Sequence, residues 1–327
     1  MGTRRHRRPD IFRAADAFRD ALRRNENAAL TRLALAYQKA GARLDEISRA
    51  LPEGELDARA MVFAQTRLRL LAEQIGREID DLVMRGAVIA GDGQREAAGL
   101  AAAHAEELVR LAAARLEISW AHLPVEAVEQ MLGQTRPGSP LFDLLASLGA
   151  EVHQQVEREL TTGIALGINP RDVALRMIDK LRLSYSRAET IARTEMLRAY
   201  REVTRQSYAA NPHVVRGWIW YSALDTRTCP ACWAMHGTRH TLDEVLDDHP
   251  NGRCAMLPIV DGMQPVPDGA TLFALLPRDE QAAILGNKAL EAYEAGQVAL
   301  ADFVGRRSHP RWGTMRYARS LRSAMGV

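Results

Sequence analysis

Residues 225–258 read DTRTCPACWAMHGTRHTLDEVLDDHPNGRCAMLP and contain every cysteine of the 327-residue chain. Cys229 and Cys232 form a Cys-x2-Cys pair, and His249 and Cys254 follow on a returning segment. A Cys-x2-Cys turn places two thiolates at adjacent corners of a tetrahedron, and a second pair of ligands closes a structural zinc site. The spacing therefore predicts a structural Zn²⁺ ion held by Cys229, Cys232, His249 and Cys254.

The residues beside these ligands fit a compact site. Pro230 stiffens the first turn, and Pro250-Asn251-Gly252 predicts a tight turn that points the two later ligands inward. Arg227 and Arg253 flank the cysteines and would offset the negative charge of three thiolates around one ion. The segment has almost no aliphatic core, so we expect the zinc ion, which contributes on the order of 10 kcal/mol, to stabilise it.

Other ligands and other cysteine chemistries are compatible with the same residues. His236 or His240 could replace His249 as a ligand. A redox Cys-x-x-Cys should open a helix in a βαβ setting, and the sequence shows no such alternation of strands and helices. Three reduced cysteines without a metal are the remaining alternative. Four protein ligands would close the metal site, which argues against metal catalysis.

Composition limits the class of protein. With 47% hydrophobic and 26% charged residues and a net charge of +2, the chain resembles ordinary folded globular proteins. The sequence has no apolar run near the ~18 residues needed to cross a bilayer, which excludes a transmembrane protein. The basic start Met1–Arg8 leads into no apolar region, so we expect no secretory signal. Three cysteines make no disulfide framework, which favours a reducing cytoplasm.

The first two thirds of the chain has the apolar spacing of helices. From Asp10 to about Pro212, apolar residues recur every three or four positions. Clusters of Gly and Pro predict breaks at residues 51–54, 91–93 and 136–140. Asn169-Pro170 predicts one helix start, and the capping box Ser186–Glu189 predicts another.

After these helices the sequence favours other structure. Residues 214–221 are β-branched or aromatic and predict a strand, on which Trp218 and Trp220 share one face and belong to the core. Residues 258–277, rich in Pro, Gly and Asp, are typical of a linker or an extended wrapping segment, and residues 278–304 predict a returning helix.

These patterns together predict a mainly α fold with a small α+β, zinc-stabilised module. The N-terminal half is long and helical, and short β strands lie around residues 214–260. We expect a helical region over residues 1–135 that docks partners and a core over 136–260 that carries the Cys/His module 225–258. A linker, helices and an Arg-rich tail then fill residues 261–327.

The C-terminal tail is the clearest charge run. From Gly305 to Val327 it has no acidic residue and contains Arg306, Arg307, Arg311, Arg316, Arg319 and Arg322. Such a tail could lie along the phosphates of double-stranded DNA, where counterion release favours binding. The alternative is a solvated or disordered end.

The order of the motifs resembles the phage Mu protein F-like minor head proteins. Residues 187–195, which end in Ala192-Arg193-Thr194-Glu195, are similar to the "ARTE" helix of that family. The family commonly has Cys at the position of Gly252, so this position is not an indispensable ligand. Further matching stretches follow in family order, within roughly residues 150–304, at 218–220, 225–232, 236–237, 249–254, 285–286 and 296–302.

The resemblance implies a phage minor head (capsid) protein that acts in head morphogenesis. Such a protein is a non-enzymatic, low-copy component of the virion head interior, and it is assembled in the host bacterial cytoplasm. Its implied partners are the portal protein, the scaffold or major capsid protein and the packaged DNA, during genome packaging or delivery. From its place on the helix, Glu195 would accept hydrogen bonds from the zinc module. We expect structural roles around the site for Glu195, Arg193, Asp225, Arg227, Arg253, Trp218 and Trp220.

Two other functions are compatible with a Cys/His module near DNA. A zinc-containing nuclease needs a general-base histidine beside an open metal site, and His236 or His240 with Asp243 or Asp247 would have to supply it. A sequence-specific DNA-binding regulator needs a recognition helix with several base-reading side chains. The arginines of this chain are spread out instead, so we prefer the structural role.

Overall fold

The computed structural model describes residues 10–54, 57–113, 118–132, 140–310 and 312–326. The first five helices are α1 (Asp10–Ser48), α2 (Ala58–Ala112), α3 (Val125–Met131), α4 (Pro140–Ala165) and α5 (Pro170–Ala209). The later elements are β1 (Val215–Tyr221), α6 (Pro230–Met235), β2 (Arg239–His240), β3 (Ala255–Val260), α7 (Gly269–Ala274), α8 (Arg278–Leu285), α9 (Asn287–Glu294), a 3-10 turn (Leu300–Phe303), β4 (Val304–His309), β5 (Gly313–Ala318) and α10 (Leu321–Ala324). The predicted class, mainly α with a small α+β module, is confirmed.

The chain divides into two compact units. The sheet unit consists of the described parts of Met1–Arg23, Glu96–Met131 and Leu197–Val327, and the helical unit of those of Arg24–Arg95 and Leu132–Met196. The predicted domains follow chain order. Each unit instead draws on separate stretches of chain, because α1, α2 and α5 contribute residues to both.

Packing of apolar side chains and glycines stabilises the helical unit. Leu33, Leu71 and Ile75 are fully buried on α1 and α2. On α4, Gly163 lies so close to Val173 of α5 that a Cβ there would fall 2.3 Å from a Val173 methyl group. Small residues therefore set the spacing of these helices.

The sheet unit contains a three-stranded antiparallel sheet in the order β2-β1-β3. Trp218 and Trp220 of β1 are at most 1% exposed and lie on one face, as predicted. Their core cluster includes Cys232, Cys254 and Met256. The expectation that the Cys/His module lacks an apolar core was therefore wrong, because the aromatic residues of β1 supply that core.

Two predicted helix signals were wrong, and both lie inside long helices. Residues 91–93 are part of α2. Gly93 packs against Met196, and a Cβ at this position would fall 2.3 Å from the Met196 sulfur. The glycine permits close packing and does not end the helix. Ser186 lies within α5, where its hydroxyl donates to the carbonyl of Leu183.

Other predicted boundaries are confirmed. The helix start at Asn169-Pro170 is present, and the Asn169 side chain accepts a hydrogen bond from the Arg171 backbone at 2.9 Å. The break at residues 51–54 separates α1 from α2. The predicted break at 136–140 lies largely outside the described residues, and α4 begins at Pro140.

The C-terminal region differs from the prediction in three ways. The predicted linker 258–277 contains the end of β3 and all of α7. The predicted helix 278–304 is divided at Gly286, whose φ of 81° ends α8 before α9 begins. The Arg-rich tail contains an antiparallel hairpin of β4 and β5 followed by α10, secondary structure that its charge pattern did not predict.

In the part of the chain that the structure describes, none of the helices has the length and apolar character needed to cross a membrane.

Candidate metal centre

The first two candidate ligands are held by the start of α6. Cys229 is the N-cap residue of this helix, and its Sγ accepts a hydrogen bond from the backbone N–H of Cys232 at 3.4 Å. Pro230 occupies the first helical position, where a missing N–H costs nothing. The Cys-x2-Cys turn therefore has both thiols fixed by local structure.

The other candidate ligands lie on the loop between β2 and β3. The backbone N–H of Gly252 donates to the carbonyl of His249 at 2.9 Å, and Asn251 has a φ of 62°. A Cβ on Gly252 would fall 2.0 Å from a carboxylate oxygen of Asp248. The predicted tight turn is confirmed, and the Asp248 side chain requires glycine at its end.

The structure brings the predicted ligands into two overlapping groups that share Cys232. Ligand atoms of Cys229, Cys232 and His249 lie within 4.8 Å of one another, and so do those of Cys232, Asp248 and Cys254. His249 Nε2 is 3.5 Å from the Cys229 sulfur and 3.6 Å from the Cys232 sulfur. A tetrahedral zinc ion with ordinary bond lengths sets its sulfur and nitrogen ligands about 3.6 Å apart. These five residues could hold a metal ion, and the spacing fits zinc.

Hydrogen bonding orients His249 for ligation. Its Nδ1 lies 2.9 Å from the carbonyl oxygen of Pro250, which can only accept a hydrogen bond. Nδ1 therefore carries a proton, and Nε2, the nitrogen nearest the thiols, is the atom that would bind a metal ion once it is deprotonated.

The pKa values of the cluster indicate where negative charge is stabilised. The hydrogen bond with Cys232 lowers the pKa of the Cys229 thiol to about 5, against the effect of burial. Burial would lower the pKa of His249, but Cys229 and Asp248 outweigh it and raise the value to about 9. Hydrogen bonds with Cys229 and Cys254, together with burial, raise the pKa of Cys232. A cation would have to displace the protons of the Cys232 thiol and of His249 Nε2, because metal-bound thiols and imidazoles are deprotonated at the ligand atom.

Arg201 and Asp248 organise the ligand loop, and sequence reasoning missed both. The Asp248 side chain is fully buried, and its carboxylate accepts hydrogen bonds from Arg201 at 2.9 Å and from the backbone of His249 at 2.9 Å. Arg201 also donates to the carbonyls of Gly252 at 2.8 Å and Cys254 at 2.9 Å. Despite its burial, the pKa of Asp248 is lowered, chiefly by Arg201.

One signal in the sequence could have identified Arg201. It lies four residues after Leu197 and seven before Tyr208, on the buried face of α5. A charged residue on an apolar helix face requires a buried partner.

A second ion pair joins the two ends of the module. Arg253 donates both of its terminal nitrogens to Asp225, at 2.8 and 2.7 Å, and Arg227 approaches the same carboxylate at 3.3 Å. Arg253 holds the pKa of Asp225 well below its usual range. The stretch before Cys229 is thereby linked to the stretch before Cys254.

His236 and His240, the predicted substitutes, belong to neither group of ligand atoms. His236 is buried, and its Nδ1 accepts a hydrogen bond from the backbone of Ser222 at 3.0 Å. His240 contacts Thr238 and Glu244 with its two nitrogens and stacks on Trp218 at 4.2 Å between ring centroids.

Arg193 and Glu195 belong to the helical unit. The carboxylates paired with Arg193 are those of Glu189 at 3.0 Å and Glu26 at 3.7 Å. Glu195 is buried, and its backbone carbonyl accepts a hydrogen bond from Gln94. The expected hydrogen bonding of Glu195 with the module stays a prediction.

The C-terminal arginines have different environments. Arg316 pairs with Asp247 at 2.8 Å and covers the ring of Trp220, so it helps to attach the hairpin to the module. Arg306 contacts the same carboxylate at 3.0 Å but is largely exposed. Arg307, Arg319 and Arg322 are also exposed, and Arg311 lies outside the described residues.

Comparison with known proteins gives one match. No curated protein and no solved structure matches the chain. The model of the family described as Phage Mu protein F like protein matches residues 154–257, a stretch that contains all of the candidate metal ligands. This match confirms the resemblance indicated by the sequence motifs, so residues 154–257 identify the chain as similar to the phage Mu protein F-like proteins of phage heads.

Proposed function

We propose that this chain is a minor head protein of a phage, that it acts in head morphogenesis, and that it lies inside the head in association with the portal. The family match over residues 154–257 carries the proposal. That stretch contains the C-terminal part of α4, all of α5, strand β1 and the whole candidate metal centre. The buried hydrogen bonds of Arg201 add support, because they give the module the rigidity of a structural part.

We propose that a structural zinc ion binds Cys229, Cys232, His249 and Cys254. When bound, the ion would cross-link the α6 turn to the loop before β3. Asp248 is assigned to the support of this loop, because Arg201 and two backbone N–H groups already engage its carboxylate. Elemental analysis should find one zinc ion per chain, and no zinc in protein prepared without chelators would contradict the assignment.

The identity of the fourth ligand can be tested with Co²⁺ in place of zinc. Three thiolate ligands should give a strong sulfur-to-cobalt absorption, and Cys254→Ser should reduce it by about one third. Asp248→Asn should leave that absorption close to the unchanged chain. If Asp248→Asn removes tetrahedral cobalt absorption and Cys254→Ser does not, Asp248 is the ligand instead.

We also propose that the C-terminal segment contacts packaged DNA. Arg306, Arg307, Arg319 and Arg322 are exposed on the hairpin and its following segment. Neutralising about four phosphates would give log Kobs a slope near −3.6 against log salt concentration. Arg307→Ala with Arg319→Ala should reduce that slope by about 2, measured by fluorescence anisotropy on duplex DNA. Arg182→Ala with Arg187→Ala, on α5, serves as the charge-matched control.

The nuclease alternative has weaker support. Asp247 is engaged by Arg306 and Arg316, His236 is buried, and the nitrogens of His240 contact Thr238 and Glu244. These contacts engage Asp247, His236 and His240 in roles other than metal binding, which supports the structural role over the nuclease.

The proposed role is tested in the phage or prophage that encodes the chain. Purified heads should contain the protein at low copy, in a fixed ratio to the portal protein, as measured by quantitative mass spectrometry. A nonsense mutation should yield defective heads and few infectious particles, and expression of the intact chain should restore them. Absence of the protein from purified heads would contradict the proposal, and cleavage of duplex DNA that is lost on His236→Ala would favour the nuclease.

A further inference from the structure

The helical unit has an exposed apolar groove between α1 and α2. It has a volume of about 440 Å³ and is lined by Arg32, Leu35, Ala36, Lys39, Met84, Arg85, Val88 and Ile89. Leu35, Met84 and Val88 are about half exposed, at 49%, 54% and 54%. Large apolar side chains grouped in this way are typical of a surface that binds a partner.

The ionisable residues that line this α1/α2 groove are all basic. Its ionisable lining residues are Arg32, Lys39 and Arg85. Arg85 pairs with Asp81 at 2.7 Å and Arg32 approaches Asp92 at 3.8 Å. Within the described residues, Lys39 has no acidic partner. The chemistry of the groove therefore fits an amphipathic segment with acidic residues beside its apolar stripe.

The chain itself contains a segment of this kind, namely α3. This helix has the sequence VEAVEQM, and none of its residues is buried. Val125 and Val128, with Leu132 just after the helix, have the spacing i, i+3 and i+7 of an apolar stripe. Glu126 and Glu129 have no ion-pair partner within the described residues.

A helix of this length needs a surface to pack against. Isolated helices shorter than about 12 residues are marginal in water, and α3 has seven residues with Val125 68% exposed. The segment before it is well anchored, because the backbone of Ala121 makes two hydrogen bonds with the side chain of Asn211, at 2.7 and 2.9 Å. The chain thus fixes the segment before α3, while Val125 is exposed and Val128 and Leu132 are half-buried.

The lengths of the two surfaces agree. Arg32 and Lys39 mark the ends of the α1 side of the groove, seven residues apart, which is about 10 Å along a helix. The seven residues of α3 span the same distance. We propose that α3 of one copy of this chain docks in the α1/α2 groove of a second copy.

Such a contact joins different surfaces of the two copies, so it extends head to tail and closes only if the rotation between copies permits a ring. Two helical turns bury much less than the ~1,200 Å² of a stable complex, so we expect weak, concentration-dependent association. The inference does not rest on the proposed function, since it concerns the purified chain alone.

Sedimentation velocity and equilibrium over a wide concentration range test the proposal. The average mass of the intact chain should rise with concentration. Lys39→Glu and Glu129→Lys should each weaken association about tenfold or more, because each places like charges across the contact. Val88→Ser should weaken it without any change of charge. Circular dichroism checks that each variant is folded.

Mixing the two charge variants gives the decisive measurement. In a mixture of Lys39→Glu and Glu129→Lys chains, every contact between unlike copies regains opposite charges, so association should return. Lys288→Glu and Glu107→Lys make the same charge changes at exposed positions elsewhere and should behave like the unchanged chain. A chain that stays monomeric throughout, variants that match these controls, or a mixture that does not recover would each overturn the proposal.

Discussion

The helical unit and the sheet unit are stabilised by different kinds of contact. In the helical unit, close approaches such as that of Gly163 to Val173 set the helix spacing. In the sheet unit, a loop with few aliphatic residues is held by buried charge, with Arg201 and Asp248 at its centre. The comparison teaches that the first unit should be sensitive to side-chain volume, and the second to charge, pH and metal ions.

Metal removal should have the largest effect and should be confined to the sheet unit. A structural zinc ion contributes on the order of 10 kcal/mol, so a chelator or Cys232→Ser should unfold the loop that carries His249 and Cys254. The Trp218 and Trp220 core should keep β1 in place. Hydrogen exchange read by mass spectrometry should show lost protection at residues 225–254 and unchanged protection in α4. Unchanged exchange at 225–254 would mean that the metal has no role in folding.

Loss of the buried ion pair between Arg201 and Asp248 should have the second largest effect on stability. Arg201→Met leaves the Asp248 carboxylate buried without its cation and should lower the free energy of unfolding by about 3–5 kcal/mol. Arg187→Met in the helical unit breaks an exposed pair with Glu151 and should cost less than about 1 kcal/mol. Urea denaturation measures both, and adding Asp248→Asn to Arg201→Met should recover part of the loss. Equal costs for the two arginine variants would contradict the assigned role of Arg201.

Acidification should destabilise the sheet unit through His104. The His104 ring stacks on Phe18, and its Nδ1 lies 3.0 Å from the Tyr200 hydroxyl. Burial lowers the pKa of this histidine from 6.5 to about 4. The unfolded chain therefore binds the proton more readily, so the stability is present above pH 6.5 and is lost as the pH falls to about 4. The loss is on the order of 3 kcal/mol.

Denaturation at a series of pH values measures this effect in the His104→Gln variant, which should lose less stability in that range. His122→Gln, at an exposed position, controls for removal of an imidazole. The same pH dependence in His104→Gln and the unchanged chain would exclude His104 as the cause.

The smallest effect concerns glycine in the helices. Gly163→Ala should destabilise the chain by about 1 kcal/mol, because overpacking against Val173 exceeds the gain in helix propensity. Gly99→Ala should instead stabilise α2 by about 0.5–1 kcal/mol, because no atom lies within 4 Å of the added Cβ. Thermal unfolding compares the two, and effects of equal sign would show that packing does not limit the helical unit.

The cluster of residues that could hold a metal ion was predictable from the sequence because its geometry is local. The Cys229–Cys232 spacing fixes a turn, and Pro250-Asn251-Gly252 fixes another, so the ligand types and their order indicate the site directly. The same reasoning failed at Gly93 and Ser186, because local signals for a helix end were overridden by packing against distant residues. Met196 fills the space beside Gly93, and no sequence window around residue 93 contains that information.

The C-terminal region shows the limit of charge as a predictor. Its arginines indicated a tail for DNA, yet Arg316 pairs with Asp247 and covers Trp220. A count of charges along the chain cannot include a partner 69 residues away.

The sequence by itself determined the mainly helical class, the grouping of Cys and His residues that could hold a metal ion, and the family resemblance, because these depend on residue types at short spacing. The tertiary structure alone decided that Arg201 supports the ligand loop through Asp248, since this contact joins α5 to a loop 47 residues later. It also decided that α1, α2 and α5 contribute residues to both units, because the contacts of distant segments define a compact unit. Short-range preferences select turns and helices, whereas burial decides which charges must meet.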